Sequence, residues 1–484
     1  MAKRVFRPYD PDRPLPLPPD LRAWLPVDHT VYLLGDIIDQ LDLTPIVASY
    51  ERGDGGGNPP YHPVLLTKLL LYAYCEGVVS SRAIAARTYT DVAFRVLAAD
   101  QHPDFRTISD FRERHLPALT DLFVQVVRLA GRLELTKLEH VAQDGSKVLA
   151  NASKHRAMSY GRMQQAEGRL SGEIQALLAA AQAADAADAA AHGPDRTGDE
   201  VPPDLAGERA RRERRLATIR AAKAALEAEA KAGAEAIRAA DAAERARRAR
   251  AGEPKKPGKV PAPAGTPPEQ AQRNFTDPES RIMPNADKAY VQAYNGQIAV
   301  DAGGAQIIVG CLLTNQSADP AHLPPMLEHV RAVTGRVPGE WSADAGYFSA
   351  ANVAAVERAG STPYIPPDRQ AHAAQPPPAV AQLLAEAGLG PPSAETAGGE
   401  HAATAAMRAR LATETGRRAY GRRKQTVEPV FGQLKERRGL RRFLLRGLAK
   451  VRAEWTLWCL THNLLKLVRA LRRRPALRQR LARA

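Results

Sequence analysis

The stretch Leu138-Glu-His-Val-Ala-Gln-Asp-Gly-Ser146 decides the fold class, because the chain changes character there from helix to strand. Apolar residues lead into an acid and a glycine, which predicts a short strand that ends at Asp144. A second β-rich section runs from Asn295 to Asp301, turns at Gly303-Gly304, and continues from Gln306 to Thr314. Its β-branched residues around a glycine turn predict a β-hairpin.

A third strand is predicted at Glu340-Trp-Ser-Ala-Asp344, after a helical stretch from Pro325 to Val333. The order strand, hairpin, helix, strand is typical of a mixed β-sheet within an α+β fold. Residues 136–158 and 271–369 would form this sheet core, with an acid at the end of two strands.

Helical patterns precede the sheet. An irregular arm rich in Pro and Asp, residues 1–26, leads into successive capped helices that predict an all-helical N-terminal domain over residues 27–135. A small basic helical bundle of this kind can dock in a DNA groove, as helix-turn-helix modules do. Plain scaffolding explains the pattern equally well, because no base-contacting residue can be named.

Residues 159–252 form an insertion rich in Ala, Arg and Glu that carries no strand pattern. Breaks at His192-Gly-Pro194 and Pro202-Pro203 divide it into two amphipathic halves, which predicts an inserted antiparallel helical hairpin. Its arginine runs either follow a DNA backbone or form a solvated helix face.

The remaining segments are assigned from composition. We expect a Pro/Lys linker at 253–270, a low-complexity loop at 370–415, and C-terminal helices of the core at 416–470. Residues 471–484 are expected to be a disordered or frayed basic tail.

Composition points to a polyanionic partner, since the formal net charge is +15 and the pI is about 9.8. The three cysteines, Cys75, Cys311 and Cys459, are far apart and form no CxxC pair, so we interpret them as core residues of a cytosolic protein. Neither a signal peptide nor a long apolar run is present, so no membrane partner is expected.

Three isolated acids, Asp144, Asp344 and Glu428, are the candidate chemistry of the chain. An Asp before a Gly is most often a turn residue, so each acid alone is weak. Together they are more specific, because two follow apolar strands and the third lies in a helix among cations. Acids that converge would repel unless metal ions neutralised them, which predicts Mg²⁺ or Mn²⁺.

Three other acids near the predicted strands are interpreted as structural residues of turns or loops. They are Asp287, Asp301 and Asp319.

At these residues the chain resembles a family. Asp144-Gly-Ser, Asp344-Ala-Gly-Tyr-Phe-Ser and the series Tyr420, Arg423, Glu428, Lys435 resemble the DDE signature of bacterial insertion-sequence transposases, including their Tyr-Arg-Glu-Lys element. The segment from 63 to 115 is similar to their helical N-terminal domain.

The resemblance implies a ribonuclease-H-like catalytic core in which Asp144, Asp344 and Glu428 bind two Mg²⁺ or Mn²⁺ ions per active site. It implies cleavage and transfer of DNA strands at the ends of an insertion sequence. The implied partner is double-stranded DNA, as terminal inverted repeats and as target, held by a homodimer. The implied location is the bacterial cytoplasm, with the nucleoid.

One departure from the signature concerns spacing. Four residues separate Arg423 from Glu428, where the signature has three, and Lys424 occupies the expected register. Lys435 keeps its usual distance from Glu428 and is the implied phosphate contact, while Arg423 and Lys424 compete for the other basic position. Tyr420 is either a phosphate contact or a core aromatic. Further DNA-binding candidates on the same basic stretch are Arg438, Arg441 and Arg442.

Two alternatives stay open beside the enzyme. A catalytically silent, transposase-derived DNA-binding protein would keep the helices and the basic surface. A nuclease of the same fold would share every catalytic residue and cut without strand transfer. The intact set of acids favours the enzyme over the silent protein.

Overall fold

The computed structural model describes residues 20–50, 60–192, 203–252, 265–285, 289–368 and 402–482. This part of the chain forms a mixed α+β fold that is mostly helical. Nearly all of the predicted N-terminal arm, most of the predicted linker and residues 370–401 of the predicted loop lie outside the described residues.

The described residues before the first strand are mainly helical. They are α1 (Thr30–Ile38), α2 (Thr44–Val47), α3 (Pro63–Cys75), α4 (Ser81–Thr90), α5 (Val92–Leu97), α6 (Phe105–Arg114) and α7 (Leu116–Arg132). Asp91 and Asp104 cap α5 and α6 by accepting hydrogen bonds from backbone N–H groups of the first turn. The helical character predicted for this region is therefore confirmed in its described residues.

A mixed sheet forms the centre of the fold. Its strands are β1 (His140–Leu149), β4 (Arg281–Pro284), β5 (Tyr290–Asp301), β6 (Ile308–Thr314), β7 (Glu340–Ser342) and β8 (Thr362–Tyr364). β5 pairs antiparallel with β1, and both β4 and β6 pair antiparallel with β5. On the other side of β1, β7 is parallel to β1 and β8 is parallel to β7. The predicted hairpin between β5 and β6 is confirmed.

The prediction that the first strand ends at Asp144 is wrong. β1 continues to Leu149, and Asp144 lies in its middle, opposite Ile298 of β5. The polar residues after Asp144 stay extended because β5 pairs with them as far as Leu149. Asp344 does follow the end of its strand, two residues beyond Ser342.

Two long helices, α8 (Tyr160–His192) and α9 (Pro203–Arg250), occupy the predicted insertion. Ion pairs from Arg212 to Glu173 and from Arg220 to Glu167 show that they run antiparallel. They share a small core of their own, made of Tyr160, Met163, Leu170, Leu216, Ile219, Ala222 and Leu226. Two short strands, β2 (Ala157–Ser159) and β3 (Gln272–Asn274), pair at their base.

Helices α10 (Leu323–Thr334) and α11 (Ala350–Arg358) accompany the later strands. The chain then forms α12 (Ala402–Ala412) and α13 (Glu414–Gly432), a π-helical turn at Gln433–Arg437, and α14 (Leu448–Arg473) and α15 (Ala476–Leu481). The predicted loop is therefore wrong for residues 402–412.

The expected disordered or frayed tail is also wrong for its described part. Helix α14 extends to Arg473, and α15 follows because Leu477 and Leu481 pack into the hydrophobic core among the arginines.

The three cysteines are buried and free, as expected. None of the described helices combines the length and the apolar character that crossing a bilayer requires.

Candidate active site around Asp144 and Asp344

Asp144 faces helix α13 from the middle of β1. Side chains alternate along a strand, so Asp144 and Ser146 lie on one face. One carboxylate oxygen of Asp144 accepts a hydrogen bond from Nη1 of Arg423 at 3.0 Å, and the other accepts from the backbone N–H of Gly145 at 2.8 Å. The Asp144 side chain is 19% exposed and that of Arg423 is 9% exposed. The sheet thus holds a carboxylate that water reaches only partly.

Asp344 lies beside Asp144, just after the end of the neighbouring strand β7. It caps the 3-10 turn Ala345–Tyr347, with its Oδ1 accepting from the backbone N–H of Gly346 at 2.9 Å. Because β7 runs parallel to β1, the residue after its end lies beside the middle of β1.

The pKa of Asp144 reflects this crowding. Burial raises it to about 6, the charge of Arg423 opposes the rise, and the charge of Asp344 adds to it. A carboxylate that is short of water and close to a second carboxylate favours a neighbouring cation. In this structure Arg423 supplies that positive charge.

Behind the acids lies a polar cluster that the sequence patterns did not reveal. The hydroxyl of Tyr347 donates to Oε1 of Gln297, and both side chains press against Gly145. A Cβ at position 145 would lie 2.1 Å from Nε2 of Gln297 and 3.0 Å from the Tyr347 hydroxyl. A side chain at position 145 would therefore require Gln297 and Tyr347 to move.

Asp319 adds a third carboxylate to this cluster. It accepts hydrogen bonds from Nδ2 of Asn295 at 2.9 Å and Nε2 of Gln297 at 3.1 Å, and it pairs with Nζ of Lys147 at 3.4 Å. Burial raises the pKa of Tyr347, and the charges of Asp319, Asp144 and Asp344 raise it further. Asp319 therefore lies near the acid pair, tied down by amides and a lysine.

Glu428 does not join the two aspartates in this structure. Its side chain is exposed on α13. Within the described ranges no group of three or more His, Cys, Asp or Glu side chains is placed to hold a metal ion. The structure thus brings together Asp144 and Asp344, and leaves the third predicted acid apart.

The basic candidates divide by burial. Arg423 is buried against Asp144, whereas Lys424 is exposed, so helical register puts Arg423 on the acid side of α13. Tyr420 is half-buried, and the Arg423 guanidinium lies 5.8 Å from its ring centroid. Lys435 is half-buried and donates to the Ser146 hydroxyl and, at 2.9 Å, to the Lys147 carbonyl. Arg441 and Arg442 are exposed.

Arg438 is buried, which contradicts the prediction that it contacts DNA. Its side chain is in the protein interior, where the guanidinium donates to the Tyr74 carbonyl at 2.9 Å and to the Thr461 hydroxyl, and stacks over Trp458. A buried guanidinium needs such partners, so Arg438 joins the N-terminal helices to α14. Sequence could not separate it from its exposed neighbours, because burial depends on the tertiary fold.

Of the other acids, Asp301 is structural, as interpreted. Its carboxylate accepts from the backbone N–H groups of Lys137, Leu138 and Gly303. Asp287 lies outside the described residues.

Two family models match the chain. One, described as a transposase DDE domain, matches residues 394–468, and the other, described as a transposase domain (DUF772), matches residues 19–114. The first range contains Tyr420, Arg423, Glu428 and Lys435; the second contains helices α1 to α6. No curated protein and no solved structure matches. Both models describe transposase domains, and together they support an insertion-sequence DDE transposase.

Proposed function

We propose that this transposase cleaves DNA strands at the ends of an insertion sequence and joins them to target DNA, at a centre formed by Asp144, Asp344 and Glu428. A transposase DDE domain implies polynucleotidyl-transferase-type activity. The observation that carries the proposal is the acid pair itself, one carboxylate within β1 and one just beyond the end of the neighbouring strand β7. The first has its pKa raised to about 6 and faces a basic helix.

The proposal includes a ribonuclease-H-like core. Its support is the strand order, in which β5 lies antiparallel beside β1, β6 follows β5, and β7 and β8 run parallel to β1 on the other side. In the proposal, residues 136–158, 271–369 and 416–470 form this core, 27–135 form the DNA-binding domain, and 159–252 form the inserted hairpin.

The chemistry of the proposed donors, three carboxylates, suits a divalent cation. DDE domains generally use one, and carboxylate oxygens are the ligands that Mg²⁺ and Mn²⁺ prefer. Asp144 and Asp344 would hold it together with Glu428, and two ions per site are proposed. A bound ion would supply a Lewis acid for the phosphate oxygens at the reacting bond.

Glu428 is proposed as the third acid from its place on α13. It lies between Arg423, which contacts Asp144, and Lys435, which contacts Ser146 two residues further along β1. Contacts before and after Glu428 in the chain therefore hold its helix against β1, the strand that carries Asp144.

The chain's own residues hold the acids in position. Arg423 orients Asp144 and balances its charge, while Lys435 ties the π-helical turn to β1. The exposed Lys424, Arg441 and Arg442 are proposed to bind DNA phosphates, with Lys435 and Tyr420 closer to the acids. The proposed partner is double-stranded DNA bound by a homodimer, and the proposed location is the nucleoid.

The test is a product analysis. The purified chain is incubated with Mg²⁺ and DNA that carries the element with its genomic flanks, and the ends and any joined products are sequenced. Cleaved ends joined to new DNA are expected. Cleavage without joining would identify a nuclease, and binding without cleavage would identify a silent DNA-binding protein; either result overturns the proposal.

A further inference from the structure

The last third of helix α14 carries a row of cations with a cleft on each side. One cleft, of about 570 Å³, lies between α14, Thr30, the end of α3 and the π-helical turn. The other, of about 430 Å³, lies between α14, the segment after α7 and the turn of the β5–β6 hairpin. Lys466, Arg469 and Arg473 line both clefts, so we name them the α14 ridge.

Charge in these clefts is strongly one-sided. The first is lined by a single carboxylate, Glu76, and by six cations, of which Arg438 is buried and Arg472 is paired with Asp28 at 3.7 Å. The other four cations are Arg437, Lys466, Arg469 and Arg473. In the second, Glu134 is the only acid and is paired with Arg480 at 3.2 Å. Arg469 and Arg473 are exposed and have no carboxylate partner among the described residues. Among the described residues, no carboxylate is paired with a side chain of the ridge.

Lys466 is the residue of the ridge whose positive charge is least favoured by its surroundings. It is half-buried, and its Nζ donates to Oε1 of Gln306 at 2.8 Å. Burial, with the charge of Arg469 adding to it, lowers the pKa of Lys466 to about 8. An anion at the ridge would offset both effects.

The helix dipole does not explain the whole row. Cations near a helix C-terminus are favourable, but the effect is confined to about the last turn. Arg473 ends α14, whereas Lys466 lies about two turns earlier. Lys466 is partly buried and lies beyond the reach of the helix dipole, so a negative partner other than the helix C-terminus would stabilise its charge.

We propose that the α14 ridge binds the phosphate backbone of duplex DNA, at a site separate from the acid pair. From Lys466 to Arg473 the helix rises about 10 Å, which matches about three nucleotide steps along one strand. This inference rests on the proposed function in taking DNA as the partner, and it adds a second surface by which the chain holds that DNA.

The test measures binding of a fluorescein-labelled duplex of mixed sequence to the full chain by anisotropy at several salt concentrations. In the double variant Arg469→Gln/Arg473→Gln, the slope of log affinity against log salt is expected to fall in magnitude by about 2, since each lost phosphate contact removes about 0.9. The charge-preserving variant Arg469→Lys/Arg473→Lys should keep the wild-type slope.

The matched control is Arg331→Gln/Arg358→Gln, which removes two exposed arginines near the ends of α10 and α11. It should leave the slope unchanged. An unchanged slope in the ridge variant, or an equal fall in the control, would overturn this inference alone. A wild-type chain that binds no DNA would overturn the proposed function as well.

Discussion

Gly145 is packed closely against the side chains of Gln297 and Tyr347. The change Gly145→Ala would bring a Cβ to 2.1 Å from Nε2 of Gln297, so that side chain and Tyr347 must move. We expect the free energy of unfolding in urea to fall by about 1 to 3 kcal/mol, as overpacking of a core usually costs.

The matched control is Gly168→Ala on helix α8, where nothing lies within 4 Å of the added Cβ. That change should raise stability by up to about 1 kcal/mol, because Ala is the better helix former. Equal effects of the two substitutions would contradict the close packing behind Asp144.

His462 is a second residue with a measurable consequence. It is fully buried in α14, its Nε2 lies 3.0 Å from the Gln306 carbonyl, and burial lowers its pKa to about 3. In the unfolded chain the histidine pKa is near 6.5, so below that pH the unfolded chain binds a proton that the folded chain does not bind. The free energy of unfolding should therefore fall by about 1.4 kcal/mol for each pH unit below about 6.5.

The change His462→Gln removes this pH dependence. Unfolding free energies at pH 7.5 and pH 5 should show the wild type losing about 2 kcal/mol more than the variant on acidification. The exposed His155→Gln serves as the control and should follow the wild type. A pH-independent difference between the wild type and His462→Gln would refute the buried neutral histidine.

At the scale of residues, sequence could identify acids but not their partners. Asp144 and Asp344 are recognisable in the sequence because each is an acid that follows a run of mainly apolar residues. The pairing of Asp144 with Arg423 joins positions 279 residues apart, and the fit of Gln297 against Gly145 depends on strand register. Neither leaves a local pattern, since both arise only when separate strands and helices meet.

At the scale of elements, Gln306 connects α14 to the helix that carries Glu428. Pro429 has no N–H, so the carbonyl of Gln425 lacks its usual helical donor and instead accepts from Nε2 of Gln306 at 3.0 Å. The same side chain accepts from Lys466.

The change Gln306→Ala should lower the free energy of unfolding by about 2 kcal/mol, because one neutral and one charged hydrogen bond are lost. Urea denaturation of this variant beside the exposed Gln101→Ala provides the comparison. If both variants unfold like the wild type, Gln306 does not tie the two helices together.

Element boundaries were predictable where hydrophobic periodicity was strong, as in the β5–β6 hairpin and the helices before β1. Element boundaries were not predictable in segments where most residues are charged. The basic tail was expected to be frayed, yet Leu477 and Leu481 are enough to pack α15 against the core. Two apolar residues among arginines look like a solvated segment until a neighbouring surface is known.

At the scale of the whole molecule, the N-terminal helices and the sheet share one hydrophobic core. α1, α3 and α7 pack against α14, and the buried residues of helices and sheet form a continuous cluster. The sequence predicts a separate helical domain, because contacts between the two ends of a chain are invisible to local patterns. One consequence is that these helices and the strands that carry Asp144 and Asp344 should unfold together.

The most direct test of the central claim is strand cleavage by the variant Asp344→Asn. The amide oxygen can still accept from the Gly346 N–H, so the turn should survive while the carboxylate charge beside Asp144 is lost. We predict that Mg²⁺-dependent cleavage of the element's ends falls below detection while DNA affinity stays at the wild-type value. The control Asp121→Asn, at an exposed position on α7, should cleave normally. Cleavage by Asp344→Asn at the wild-type rate would contradict the assignment of the acid pair as the reaction centre.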